Sequence, residues 1–128
     1  MVVGLGTDIT EVPRVARSIE RFGDRFLERV YTPGEITYCL ARKKSAAQSF
    51  AARFAAKEAA FKALRTGWRG GLSWHHVEVT STEAGAPLLQ LSGYARTLFD
   101  AMGATHAHLS LSHTSEHAVA QVIFERRT

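Results

Sequence analysis

The chain has 128 residues, 45% of them hydrophobic, and a formal net charge of +4. That length suits one domain over residues 1–128 with a real core, and the composition excludes a disordered chain. No apolar run approaches membrane-spanning length, and the single cysteine, Cys39, excludes an intrachain disulfide and favours a reducing, cytoplasmic setting. The excess of cations points to anionic partners: nucleic acid, phosphorylated small molecules or an acidic protein. Met1 is followed by VVGLG with no basic leader, so the mature chain is expected to start at or near Met1.

VVGLGTDI (Val2–Ile9) reads as a strand. At period 2, Val2, Gly4, Gly6 and Asp8 share a face, and strand glycines mark the close approach of a ligand or another backbone. A helix follows, with Thr10 as its expected cap and Pro13 in its first turn. Val15, Ile19 and Phe22 form its apolar line; Arg14, Arg17 and Arg21 form a separate stripe, extended by Arg25 beyond Gly23. Glu11 and Glu20 between them allow an ordinary solvated face, whereas three aligned arginines suit docking to an acidic helix or a nucleic-acid backbone. TPGE (Thr32–Glu35) carries a capping box that predicts a helix to about Arg42, and SAAQ (Ser45–Gln48) repeats the signal.

The long helix then contains FAARFAAKEAAFKAL (Phe50–Leu64) and is expected to stop near Gly67. Phe50, Phe54, Phe61 and Leu64 share one side, and seven alanines cover the other. Such a helix is mostly buried, yet Arg53 and Lys57 flank one edge and Glu58 and Lys62 the other. RTGWRGGLSW (Arg65–Trp74) reads as a glycine loop. Strands over His76–Val79 and Leu88–Leu91 join around EAGAP; a helix over Ser92–Gly103 and strands over Thr105–His113 and Ala118–Glu125 complete the chain. The order suggests an α+β fold, a mostly antiparallel sheet packed against the long helix.

Asp8 and Glu58 both occupy contexts that predict partial burial. They read either as two unrelated ion pairs or as a Mg²⁺ site completed by water and phosphate oxygens. Arg53, Lys57, Lys62 and Arg65 offer cations beside the glycine loop, either for phosphates or to offset the helix dipole. The loop lacks a Walker-A pattern. SLSHT (Ser110–Thr114) ends a strand with His113, while His106 and His108 share a face without a third partner that would make zinc credible.

GTDI followed by Arg14, then FAARFAAKEAAFKAL, TGWRGGLSW and LSLSHT in this order resemble holo-[acyl-carrier-protein] synthase, the small type of 4′-phosphopantetheinyl transferase. The resemblance runs from Val2 to the last strand. It implies a Mg²⁺-dependent transfer of 4′-phosphopantetheine from coenzyme A to a serine of an acidic apo acyl carrier protein, releasing adenosine 3′,5′-bisphosphate. It further implies Asp8 and Glu58 as metal ligands and Lys62 at the pyrophosphate, these three being catalytic. Arg53, His113 and Thr114 fall near coenzyme A phosphates, and Arg14, Arg17, Arg21 and Arg25 on the carrier surface. A homotrimer with sites shared between protomers is implied, with neither membrane nor nucleic acid as partner. Glu58, directly or through a metal-bound water, is the candidate base for the serine proton. Two positions depart from the family pattern: Ala86 stands where a lysine is usual, and Phe54 where tryptophan is common. The competing readings are a small nucleic-acid-binding module and a non-catalytic adaptor that docks an acidic protein.

Overall fold

The computed structural model describes residues 1–65 and 70–128. In chain order the elements are β1 (Val2–Glu11), α1 (Val12–Phe22), α2 (Asp24–Val30), α3 (Pro33–Leu40), α4 (Ala46–Ala63), β2 (Val77–Ser81), β3 (Pro87–Leu91), α5 (Gly93–Ala101), β4 (His106–His113) and β5 (His117–Glu125). Short 3-10 turns at Lys43–Ser45 and Trp74–His76 precede α4 and β2. The fold is α+β, as expected, but its strands form two antiparallel sheets. One is three-stranded with β5 at its centre, in the order β1-β5-β4; the other is the β2–β3 hairpin.

Helix α4 lies against the inner face of the larger sheet. Ala118, Ala120, Val122 and Phe124 of β5 are buried on that face, opposite the alanines of α4. The approach is closest at β1. A Cβ on Gly6 would stand 1.9 Å from the carbonyl oxygen of Ala59, and one on Gly4 2.7 Å from that of Ala63. Only hydrogen fits there, so the strand glycines admit the helix backbone. Lys62 Nζ donates to the Thr7 carbonyl at 3.0 Å and Arg65 to that of Val3 at 2.9 Å, fastening the strand along the helix.

Several expected ends differ. Strand β1 continues to Glu11, so Thr10 is not the cap of α1; its hydroxyl instead donates to Asp8 Oδ2 at 3.0 Å. Helix α3 stops at Leu40. Ser45 precedes α4 without capping it, because its hydroxyl donates back to the Arg42 carbonyl. Helix α4 ends at Ala63, and Arg65 takes a positive φ of 66°. The expected loop at Arg65–Trp74 lies partly outside the described residues.

Lys57 is not a surface cation beside a phosphate. Its side chain and that of Glu35 are both fully buried and pair at 2.8 Å. Lys57 also donates to the carbonyls of Trp74 and Val77. Glu35 in turn accepts from the backbone amides of Thr32 and Val79, at 2.9 and 2.7 Å. The pair ties α3, α4 and β2 together, with its bonds satisfied on both sides. Burial pushes the Lys57 ammonium down from its usual range, and the Glu35 charge opposes that shift. Lys57→Met strands the Glu35 charge in the core. It should cost about 3–5 kcal/mol of stability in urea denaturation, and adding Glu35→Gln should recover part of the loss.

Candidate active site

Past Ser49, the residues of α4 that escape full burial are Phe54, Glu58 and Lys62. They are spaced i, i+4, i+8 and form a single line along the helix. Asp8 projects from β1 beside that line, just beyond the two glycines. Lys62 Nζ reaches Asp8 Oδ1 at 3.2 Å. Asp8 and Glu58 line one cleft of about 350 Å³ with Arg14, Ser18, Phe26 and Phe54. The structure therefore brings together the three residues proposed as catalytic.

The electrostatics of this cleft are uneven. Burial raises the Glu58 carboxyl, and the nearby Asp8 charge raises it further; Lys62 and Arg14 pull the other way. No described residue donates a hydrogen bond to the Glu58 carboxylate. A half-buried carboxylate facing another carboxylate gains from a cation between them. Two hard oxygen donors, one from a strand and one from a helix, fit a magnesium ion that takes its other ligands from water and phosphate. Among the described residues there is no group of three or more His, Cys, Asp or Glu side chains placed to hold a metal without such help. Lys62 is 56% exposed at the side chain, so its pair with Asp8 is weak and can be given up for a phosphate at little cost.

Arg53 and His113 line a second cleft, of about 270 Å³, with Tyr38, Arg42, Ser49 and Leu111. The two clefts share no lining residue. The turn residues Gly85 and Pro87 border the second cleft on either side of Ala86. Thr114 is differently employed. Its hydroxyl accepts from the amides of Glu116 and His117 at 3.2 and 3.1 Å, shaping the β4–β5 turn. Arg65 is bound to the β1 backbone, as described above.

Arg14, Arg17 and Arg21 line a groove of about 590 Å³ on α1, with Ser18, Glu20 and Phe22. Arg14 and Ser18 also line the Asp8–Glu58 cleft, so the two are continuous. Arg25 is exposed on α2 and lines neither. His108 Nε2 meets Glu125 Oε1 at 2.9 Å, and His106 Nδ1 meets the Thr105 hydroxyl at 2.8 Å. Sequence reasoning missed Tyr38, Arg42 and Ser49. The only signal for Arg42 was a basic residue at the expected end of a helix.

The chain belongs to the 4′-phosphopantetheinyl transferase superfamily, whose family model matches residues 4–122. It is 55% identical over 125 residues to a holo-[acyl-carrier-protein] synthase of Koribacter versatilis, covering 98% of this chain and 99% of that one. Its fold is similar to the crystal structure of holo-[acyl-carrier-protein] synthase from Neisseria meningitidis, with a TM-score of 0.87 and 31% identity over 98% of this chain and 100% of that one. It is also similar to a holo-(acyl-carrier-protein) synthase from Bacillus anthracis in complex with CoA (3′,5′-ADP). There the TM-score is 0.82, with 37% identity over 99% of each chain. The family resemblance read from the motifs is thus borne out.

Folding raises the Glu58 carboxyl from its ordinary value of 4.5. Its ionised form therefore weakens the fold as pH rises through and above that value, and the penalty vanishes at lower pH, where the group is protonated folded or unfolded. Glu58→Gln should melt roughly 2–4 °C higher than the parent at pH 8. The gap should close as the pH is taken below about 4.5 in a calorimetric series.

Proposed function

We propose that this chain transfers the 4′-phosphopantetheine arm of coenzyme A to a serine hydroxyl of an apo acyl carrier protein, releasing adenosine 3′,5′-bisphosphate. The carrying observation is the meeting of Asp8 and Glu58 in one cleft that adjoins the arginine groove, with Lys62 paired to Asp8. Residues 1–128 act as a single transferase domain in the cytoplasm. Among the described residues, no helix is long and apolar enough to cross a membrane.

The acidic carrier lands on Arg14, Arg17 and Arg21, steered by charge; Arg25 contributes from α2. Because the groove runs into the cleft at Arg14 and Ser18, the carrier serine enters beside Glu58. Glu58 takes the hydroxyl proton on a carboxylate oxygen as the serine oxygen attacks the phosphorus that bears the pantetheine arm. The pyrophosphate P–O bond breaks, and Lys62, released from Asp8, holds the charge that develops on the departing bisphosphate. Asp8 and Glu58 would hold the Mg²⁺, which when bound draws charge from the phosphate oxygens. Arg53 and His113 receive the remaining phosphate of coenzyme A, with Thr114 setting the turn that presents His113.

Assembly follows from two features. The metal-type cleft and the Arg53–His113 cleft are separate on one chain, so a single coenzyme A is best spanned by clefts of neighbouring copies. The outer face of the β1-β5-β4 sheet is bare: Leu5 is 57% and Ile9 65% exposed, and Val119 lies beside Ile9. A homotrimer that buries this face satisfies both.

The test is to incubate the chain with coenzyme A, Mg²⁺ and apo acyl carrier protein and weigh the carrier by mass spectrometry. The carrier should gain one phosphopantetheine. EDTA and Asp8→Ala should abolish the gain, and Glu58→Gln should slow it by about 10²–10⁴-fold with metal still bound. A full rate for Glu58→Gln would remove the base role, and no gain with several carriers would point to another acceptor.

Leu5→Arg should convert the trimer to monomers in analytical ultracentrifugation and abolish transfer with it. Transfer by a stable monomer would refute the shared site.

A further inference from the structure

Tyr38 lies on α3 and takes no part in the transfer steps above. Its ring carries two guanidiniums. Arg53 Cζ stands 4.0 Å from the ring centroid and Arg42 Cζ 5.2 Å from it. The two cations come from different elements, α4 and the turn after α3, and both line the 270 Å³ cleft with Tyr38 and His113.

Arg53 is only 5% exposed. Its Nη1 donates to the Ser49 hydroxyl at 3.3 Å. Its Nε is buried with no hydrogen-bond partner among the described residues. Neither arginine forms a salt bridge with a described carboxylate. Two cations that lack a carboxylate, one with an orphaned buried donor, suit a multiply charged anion with several acceptor oxygens. An aromatic ring attracts each guanidinium that stacks on it and so offsets part of their mutual repulsion.

We propose that Tyr38 is a positioning residue that sets Arg53 and Arg42 at the angle needed for a phosphomonoester, and that Arg42 is a further contact to that group. The proposal rests on the coenzyme A reading above. Coenzyme A carries a pyrophosphate and one phosphomonoester. With Lys62 serving the pyrophosphate, the monoester falls to this cleft. Tyr38 acts through the guanidiniums and does not itself touch the phosphate.

The experiment is isothermal titration calorimetry on the full chain with adenosine 3′,5′-bisphosphate and adenosine 5′-monophosphate, reading the ratio of the two Kd values. Tyr38→Leu should cut the preference for the bisphosphate about tenfold and leave the monophosphate unchanged. Tyr38→Phe, which keeps the ring face, should retain the preference. Arg42→Gln should cut it about threefold, with the larger effect at low salt. Tyr38 is 38% exposed, so its truncation spares the core; Tyr38→Gln decides the matter if the leucine variant aggregates.

Equal weakening of both nucleotides would mean that Tyr38 stacks on the base or serves the fold alone, and would overturn the proposal. So would an unaltered preference in Tyr38→Leu, or a parent chain that binds the two nucleotides equally. A parent chain that shows the preference yet modifies no carrier would instead remove the transferase reading and leave this one standing.

Discussion

The contact on which the site depends is the approach of β1 to α4 at Gly6. A single methyl group there would sit inside the Ala59 carbonyl. Because only hydrogen is present, the strand lies directly on the helix backbone, and Asp8, two residues on, comes within reach of Glu58 and Lys62. Ordinary side chains at Gly4 and Gly6 would lift the strand away and separate the carboxylates. The alanines of α4 do the same work from the other side, since small side chains let a helix lie close to its neighbours.

Charge is distributed in this fold by depth. Lys57 and Glu35 are paired and satisfied in the core, where losing either partner would leave a stranded ion. Lys62 and Asp8 meet at the surface, where their pair is easily exchanged. Adjacent residues on one helix, Lys57 and Glu58, thus play opposite parts. One locks α4 against α3 and β2; the other is held in a cleft in a state that costs stability. That pattern is expected where a site is built at the expense of the fold.

Exposed or cleft-lining cations gather in three places. The arginine groove of α1 suits an acidic protein surface, Lys62 a pyrophosphate, and the Arg53–Arg42–His113 cleft a phosphomonoester. The first two are continuous through Arg14 and Ser18. The third shares no lining residue with the Asp8–Glu58 cleft.

The sequence by itself determined much of this. The period-2 run at β1 placed Asp8 and both glycines on one face, and the helical spacing of FAARFAAKEAAFKAL predicted a walled-in helix with charges at its edges. The capping box at Thr32 marks a boundary through local backbone chemistry, so it too was legible. Tertiary structure alone decided what each cation meets. Lys57 and Lys62 are equally lysine in the sequence, and only the packing of α3 and β2 buries the first. The splitting of the strands into two sheets, the separation of the two clefts, and the mounting of Arg53 and Arg42 on Tyr38 join residues distant along the chain or on different elements. No local period or cap carries that information, because it resides in which surfaces the core brings together.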